Sequence, residues 1–320
     1  KANFDNCRFL SNTVRGQTGG MQVEDNSLLT VSNSEFHHNH AVDLVGAVMI
    51  IGQSKAFVGN SSFVNNTARQ TGVIQVEGNS MLTVHNSKFR DNYASDFAGT
   101  VMVIANSKAL FNNCRLLNNT ATVQAGGIQI EDNSLLNLIN SEVSNNVAGS
   151  CAGAIMIMIN SHTDIYNSSF INNIAREETG AIQIESNSVL SVINSKFLNN
   201  RAYDSIGTIM INDHSKAFIN DCTILNNTAN WTTGGIQIES NSFLRITNSH
   251  VTHNHADSLA DKVTRKSNAF VNKCKFFNNR AGWTGVIQVE KNSTFRVINS
   301  EFRNNYCNQR VGVLGVSEFS

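Results

Sequence analysis

The sequence predicts an all-β protein in which the chain winds as a parallel β-helix, and three repeated features carry this prediction. A glycine followed closely by an aliphatic residue recurs at steps of about 27 residues. An apolar residue followed three places later by asparagine, such as Phe89 with Asn92, recurs once in each step. Apolar residues also alternate in short runs, as Ile128 does with Ile130, and this rhythm of two indicates strands rather than helices.

The glycine landmarks set the number of coils. Most steps between them are 27 residues long, with one step of 26 and one of 24. We therefore predict a single β-helix domain of about twelve coils over residues 1–320, without a capping helix at either end. The landmarks lie at Gly19, Gly46, Gly72, Gly99, Gly126, Gly153, Gly180, Gly207, Gly234, Asp261, Gly285 and Gly312.

Each coil is expected to hold three short strands joined by corners rich in Asn and Ser. These side chains bond to nearby backbone, and Asn tolerates left-handed conformations, so both suit tight corners. One coil buries too few side chains to offset its loss of backbone entropy, so the stability must come from stacking. At a spacing of about 4.8 Å, equivalent residues lie above one another, and Phe89, Leu116 and Val143 should form one internal column.

Two short motifs resemble the repeats of a known family. The first is a glycine-aliphatic motif, seen as GGIQ at Gly126 and GAIM at Gly153, and the second appears as FVNN at Phe63 and FLNN at Phe197. Together they resemble the paired GGAI and FxxN repeats of the chlamydial polymorphic outer membrane proteins. This resemblance spans the whole chain. It implies a right-handed β-helix that is displayed on a cell surface and takes part in adhesion.

The charge and hydropathy of the chain argue against two classes of partner. Lys plus Arg and Asp plus Glu both number 24, and charged residues make up only 15% of the chain. We therefore expect no binding to nucleic acid, which requires a basic field. The longest apolar runs, such as residues 154–159, are much shorter than the roughly 20 residues that span a bilayer, so we expect no membrane insertion of this segment.

Consecutive coils differ, which makes the true repeat a two-coil unit of about 54 residues. One coil type reads IQIE, as at Ile128, and the other reads IMI, as at Ile155. On the outward positions of this strand, Gln and Glu alternate from coil to coil with Met and Ile. We predict that this face packs against another chain or segment, whereas the alternative is an exposed stripe inherited by duplication. The predicted interface residues are Met49, Ile51, Met102, Ile104, Met156, Met158 and Met210.

The coil at residues 261–284 is irregular. It is two or three residues short and carries Lys262, Arg265 and Lys266 where neutral residues are expected. We interpret it as a local bulge, with a ligand-contacting irregularity as the alternative.

At the ends, Ser320 and Lys1 occupy successive positions of one coil. This register predicts either a window of a longer array or copies that stack end to end into a fibre.

Neither a disulfide framework nor catalysis is expected from the register. Cysteines such as Cys114 and Cys222 lie in coils two or more levels apart, too distant for a disulfide, so we expect at least five of the six to be buried free thiols.

A ladder of equivalent glutamates, which includes Glu131 and Glu185, lacks the unlike environments of a catalytic acid and base. We therefore predict no enzymatic activity, no cofactor and no metal site.

Glycosylation sequons recur at corners of the predicted coils. Three of them occupy the same place in NNT corners and would line covalent glycans along one edge. The candidate positions are Asn65, Asn118, Asn226, Asn60, Asn167, Asn230 and Asn292.

Taken together, these features predict an extracellular structural or adhesive β-solenoid that acts as a fibre subunit or as a segment of a longer surface protein. Its expected partner is itself, through end-to-end stacking or through the Met and Ile face. The alternative is a carbohydrate-binding or polysaccharide-cleaving β-helix. That alternative predicts one irregular groove, beside Lys262 to Lys266, with Trp231 and Trp283 as the only indoles available.

Overall fold

The chain winds through twelve coils whose strands form four parallel sheets of twelve strands each. The computed structural model describes residues 1–317, so the register inferred at Ser320 lies outside the described residues. The predicted β-helix of about twelve coils is confirmed, but each coil holds four strands rather than three. Within the described residues no helix is long and apolar enough to cross a membrane.

The first and second sheets carry the more regular strands. The strands of the first sheet are Ala2–Asp5, Leu28–Ser32, Lys55–Gly59, Met81–His85, Lys108–Asn112, Leu135–Ile139, His162–Tyr166, Val189–Ile193, Lys216–Asn220, Phe243–Thr247, Asn268–Asn272 and Thr294–Ile298. The strands of the second sheet are Arg8–Leu10, Glu35–His37, Ser62–Val64, Lys88–Arg90, Arg115–Leu117, Glu142–Ser144, Ser169–Ile171, Lys196–Leu198, Thr223–Leu225, His250–Thr252, Lys275–Phe277 and Glu301–Arg303.

The third and fourth sheets complete each coil. The strands of the third sheet are Thr13–Val14, His40–Ala41, Thr67–Ala68, Tyr93–Ala94, Thr120–Ala121, Val147–Ala148, Ile174–Ala175, Arg201–Ala202, Thr228–Ala229, His255–Ala256, Arg280–Ala281 and Tyr306–Cys307. The strands of the fourth sheet are Met21–Val23, Val48–Ile50, Ile74–Val76, Val101–Val103, Ile128–Ile130, Ile155–Ile157, Ile182–Ile184, Ile209–Ile211, Ile236–Ile238, Leu259–Val263, Thr284–Glu290 and Leu314–Ser317.

The third sheet is the element that the sequence pattern does not reveal. Its strands are only two residues long, and the inward residue is nearly always Ala. Two residues are too few to show an alternation of apolar and polar side chains, and Ala contributes little to an apolar pattern. This strand therefore appears in the sequence only as a recurring alanine after the asparagine.

The core is a set of columns that run along the solenoid axis. Phe89 pairs with Leu116, and Leu116 pairs with Val143, and all three side chains are fully buried. The predicted internal column is thus confirmed. Close packing between coils also explains the glycine landmark, because a Cβ added at Gly153 would lie 2.2 Å from the carbonyl oxygen of Gly180.

A buried asparagine ladder closes the corner between the second and third sheets. The side-chain oxygen of Asn119 accepts hydrogen bonds from the backbone N–H and the side-chain amide of Asn92, at 3.1 and 2.9 Å. The Asn119 amide in turn donates to the carbonyl of Phe89 at 3.2 Å and to Asn146 Oδ1 at 2.9 Å. All four hydrogen-bonding positions of this buried carboxamide are therefore satisfied. The residue before it, Asn118, turns the corner with φ = 56°.

A second ladder, made of buried serines, joins the coils at the corner between the first and second sheets. Ser141 Oγ accepts from the N–H of Cys114 at 3.1 Å and donates to the carbonyl of Ile139 at 2.7 Å. Cys114 takes the place of a serine in this ladder, and burial raises the pKa of its thiol to about 11.

All six cysteines are free thiols, as expected, but only three of them are fully buried. The prediction of at least five buried thiols is wrong because Cys7 and Cys307 lie in the first and last coils and Cys151 lies at a corner. The buried thiols are Cys114, Cys222 and Cys274.

Candidate functional site

The outer face of the fourth sheet carries three parallel rows of side chains. The first row contains the residues just before the glycine landmarks. These residues form isolated β-bridges from one coil to the next, as Ala125 does with Ala152. The central row alternates Gln with Met, since Gln129 pairs with Met156 of the next coil. The third row lies two residues further on and alternates Glu with Ile or Met over most of its length.

The central row is covered within the chain itself. Met49, Met102 and Met156 are between 2 and 4% exposed, so these three side chains offer almost no surface to another chain and form no exposed stripe. The physical reason is that the rows on both sides flank the short strands and shield the side chain between them. The predicted interface residues that remain partly accessible are Ile51, Ile104, Met158 and Met210.

On the coils that carry Gln, a polar chain crosses this face. The Thr71 hydroxyl donates to Gln75 Oε1 at 3.3 Å, and the Gln75 amide donates to Glu77 Oε2 at 2.8 Å. The same order recurs from Thr233 through Gln237 to a glutamate, with distances of 2.9 and 3.3 Å. The buried glutamine is thus positioned by a donor on one side and an acceptor on the other.

The coil that carries Gln129 lacks the threonine that donates to Gln75, Gln183, Gln237 and Gln288. Ala125 stands where other coils have Thr, and among the described residues nothing donates to Gln129 Oε1. Ala125 instead forms a small apolar cluster with Ala152 and Met156, against which Met158 packs. The middle of the outer face is therefore its most apolar part.

The glutamates at the edge of this face share one position but differ in their partners. Burial raises the pKa of Glu131 and Glu185, and the neighbouring glutamine amide opposes this shift. Glu239 instead pairs with Arg265 at 3.0 Å, and Lys262 lies 3.7 Å from a carboxylate oxygen of the next glutamate along the row, Glu290. The basic residues of the irregular coil thus neutralise the glutamates of its two neighbours.

The irregular coil places a carboxyl group in the core. Asp261 pairs with Ile287, and its Oδ1 accepts a hydrogen bond of 2.5 Å from the N–H of Ile236. It therefore occupies the inward aliphatic column, two positions away from the glycine column to which the sequence alignment assigned it. Burial among aliphatic side chains raises its pKa to about 7, although the hydrogen bond from Ile236 acts in the opposite direction.

A cleft opens at a corner of the same coil. Asp261 follows Ile236 by 25 residues, whereas Asn227 and Asn254 are 27 residues apart, so the two missing residues belong to the corner between Asn254 and Asp261. The receding corner leaves a cleft of about 670 Å³. The cleft is lined by Asn230, Trp231, Thr232, Asp257, Ser258 and Trp283.

The carbohydrate alternative placed its groove beside Lys262 to Lys266, and none of these residues lines the cleft. The cleft lies at the other end of that strand, where Trp231 and Trp283 are 68% and 44% exposed.

The sequons lie at corners, as expected. Asn65, Asn118 and Asn226 share the corner between the second and third sheets and have φ between 53° and 57°. Their side chains are already engaged; the Asn226 amide, for example, donates to Asn199 Oδ1 at 2.7 Å. Asn65 and Asn230 are half-buried, and the exposed sequon residues are Asn60, Asn118, Asn167, Asn226 and Asn292.

Comparison with known proteins identifies the architecture. The family model described as "Right handed beta helix region" matches residues 1–174, 101–261 and 180–315. A comparison with curated proteins gives no match. The chain is similar to the A-module of the mannuronan C-5 epimerase AlgE6 of Azotobacter vinelandii, with 10% identity over 92% of this chain and 91% of that chain and a TM-score of 0.28. The family match extends over nearly the whole chain, which therefore belongs to the right-handed β-helix family.

Proposed function

We propose that this chain is a structural or adhesive β-solenoid that works at a cell surface or outside the cell and has no catalytic role. The observation that carries the proposal is the outer face of the fourth sheet, where a polar coil and an apolar coil alternate over most of the stack. A catalytic site is assembled once, whereas a repeated face offers the same contact many times. Such repetition suits a scaffold or a multivalent binding surface.

The contacts between coils support self-association. Successive coils pair in parallel and use the same asparagine, serine and aromatic columns, so one coil is complementary to the next by simple translation. Two copies can use the same chemistry end to end, which is a heterologous contact that builds fibres. The chain then serves as a fibre subunit or as a segment of a longer surface protein.

The resemblance of the GGIQ and FVNN motifs to the chlamydial polymorphic outer membrane proteins also supports the surface location and the adhesive role. Covalent glycans on the sequons would fit the same location. Antibody labelling tests the location, because a surface protein is labelled on intact source cells. Labelling only after permeabilisation would contradict the proposal.

Self-association is tested by sedimentation and electron microscopy of the purified chain. Twelve coils at about 4.8 Å give a particle of about 5 to 6 nm, so longer rods indicate end-to-end stacking. For the lateral face, we expect Ile104→Lys, at an accessible edge position, to weaken association at high protein concentration. Ile171→Lys, on the outer face of the second sheet, is the matched control. Particles that stay monomeric at every concentration would contradict self-association.

The carbohydrate alternative remains a second proposal, and the tryptophan cleft is the observation that favours its binding form. Its cleaving form would require one glutamate of the ladder to act differently from the others. Release of reducing ends from polysaccharides, lost in Glu131→Gln or Glu185→Gln, is the result that would favour it.

A further inference from the structure

The two tryptophans of the chain lie on either side of the shortened corner. Trp231 belongs to the coil before it and Trp283 to the coil after it, and the backbone N–H of Trp283 donates to the carbonyl of Ser258 in the coil between them at 2.7 Å. Trp is highly buried on average, and exposed indoles are enriched at interfaces, where one side of the ring is apolar and the N–H finds a partner. Both indoles border the same cleft.

The order of the coils shows which face of one indole is available. The Arg310 guanidinium, on the last coil, lies over the ring of Trp283 at 5.0 Å from its centroid. Arg310 does not line the cleft, which is bounded by Trp283 and by residues of the two preceding coils. Since Arg310 covers one face of Trp283, we infer that the opposite face is the one available to the cleft.

The spacing of the coils suits a single saturated ring between the indoles. Two rungs of about 4.8 Å separate the two corners by about 9.6 Å. Carbon atoms in optimal contact lie about 3.5 to 4.0 Å apart, so a flat ring between two indoles fills about 7 to 8 Å. A puckered pyranose ring, whose axial hydrogens project from both faces, is thicker and fits the remaining space better than a flat aromatic ring.

The polar groups of the cleft indicate the charge of the ligand. Among the described residues Asp257 is the one charged side chain that lines the cleft. Its carboxylate lies 3.6 Å from His255 Nε2 and is largely exposed, and its negative charge disfavours a uronate or a sulfated sugar. The remaining polar side chains are neutral and suit sugar hydroxyl groups. The Thr232 hydroxyl, for example, donates to the carbonyl of Ser205 at 2.7 Å and keeps its oxygen able to accept.

We propose that Trp231 and Trp283 bracket a binding site for one neutral pyranose ring of a glycan. The volume of about 670 Å³ falls within the range that is usual for small-molecule sites. This site goes beyond the scaffold function proposed above, which stands or falls separately, and it gives the binding alternative a defined location. The glycan comes either from an external polysaccharide or from the chain itself, because Asn230 begins the sequon Asn-Trp-Thr that contains Trp231.

Intrinsic fluorescence tests the site directly, since the chain contains only these two tryptophans. The full chain is produced without N-glycosylation and titrated with cellohexaose, mannohexaose and the hexamer of N-acetylglucosamine, with oligoguluronate as the anionic comparison. We expect saturable change of tryptophan emission by at least one neutral oligomer and none by oligoguluronate. No response to any neutral oligomer up to about 10 mM, or an equal response to oligoguluronate, would overturn the proposal.

Variants separate stacking from unspecific effects. We expect Trp231→Ala and Trp283→Ala each to weaken binding by about tenfold when it is measured by calorimetry, and Trp→Phe at either position to retain part of it. Tyr203→Ala, which removes an exposed aromatic on another coil, is the matched control and should bind normally. Unchanged circular dichroism and sedimentation of the variants establish that the scaffold is intact. Equal affinity of both tryptophan variants and the parent chain would exclude the site.

A second preparation distinguishes the source of the glycan. In a host that glycosylates Asn230, the chain's own glycan fills the cleft and prevents the response to added oligomer that the bare chain gives. A glycosylated chain that still responds like the bare chain identifies external glycan as the occupant. Both outcomes support the site, whereas failure of both the glycosylated chain and the bare chain to respond would contradict it.

Discussion

Phe63 and Phe89 stack on successive coils with their ring centroids 4.8 Å apart and their planes 2° from parallel. This separation equals the distance between neighbouring strands in a sheet, so the rings report the rung spacing directly. Phe89 also touches Phe111 edge to face, at 5.9 Å between centroids. Stacking of this kind links the coils that carry Phe63 and Phe89 in addition to the backbone ladder.

Truncation of this column should destabilise several coils. We expect Phe89→Ala to lower the free energy of unfolding of the surrounding coils by about 3 to 5 kcal/mol, because it removes buried surface and leaves a cavity. Amide hydrogen exchange measures the loss coil by coil, which suits a repeat array better than one global transition. Phe57→Ala, at a 40% exposed ring, should cost less than about 1 kcal/mol. Equal protection in the two variants would contradict the packing account.

The asparagine ladder should reject a carboxylate. Asn119→Asp loses the two hydrogen bonds that the amide donates and places a negative charge next to two carbonyl-type oxygens, so we expect destabilisation by about 3 kcal/mol or more at pH 7. Asn145→Asp is the control, because that residue is exposed at the same kind of corner and Asp also tolerates its positive φ of 55°. Chemical denaturation provides the comparison, and similar midpoints for the two variants would rule out the ladder as a major source of stability.

The missing donor on the outer face suggests a stabilising change. Ala125→Thr should supply the hydroxyl that Thr71 supplies to Gln75 on an equivalent coil, and it should stabilise the chain by about 1 kcal/mol. Ala152→Thr is the matched control, since the central-row residue four places after Ala152 is Met156, which cannot accept a comparable hydrogen bond. Thermal unfolding of both variants tests this prediction. A gain with Ala152→Thr as large as that with Ala125→Thr would show that the hydrogen bond is not responsible.

One corner residue adopts a backbone conformation that suits it poorly. Ile159 has φ = 54°, a region that a β-branched residue rarely adopts, whereas Gly52 and Gly78 occupy the equivalent position with φ of 64° and 68°. We expect Ile159→Gly to stabilise the chain by about 1 kcal/mol, because the strain is relieved and the side chain is 39% exposed rather than part of the core. Val123→Gly, at an exposed residue outside the left-handed region, should instead destabilise it by about 0.5 to 1 kcal/mol. The measurement is again the midpoint of thermal unfolding.

Asp261 should make stability depend on pH. Its pKa rises from 3.8 to about 7 on folding. Between these two pH values the folded state therefore keeps a proton that the unfolded state has lost. Its contribution is fully present below about pH 4 and is lost as the pH rises through 7, by up to the order of 4 kcal/mol. Asp261→Asn should remove this dependence in hydrogen exchange of the neighbouring coils at pH 4.5 and 7.5. Asp257→Asn, at an exposed carboxyl, should keep it.

The sequence predicts the winding of the chain because equivalent side chains must stack, and stacking forces the residues of every column to be alike. Phe89, Leu116 and Val143 show this directly. The burial of the Gln and Met row was not predictable in this way, since it depends on how deeply the three-residue strands of the fourth sheet lie between the two flanking rows. The position of Asp261 was missed because two residues are lost in a corner, where no periodic pattern marks which position has been skipped.

The alternation of Gln129 with Met156 has a consequence for how such a protein changes in size. Equivalent residues of adjacent coils lie 27 residues apart, so insertion of a single coil would keep every internal column in place. It would nevertheless place two coils of the same type next to each other, so that Gln would follow Gln or Met would follow Met in the central row of the outer face. Gene duplication should therefore lengthen or shorten related chains in steps of about 54 residues, twice that spacing, and odd numbers of added coils should be rare among natural length variants.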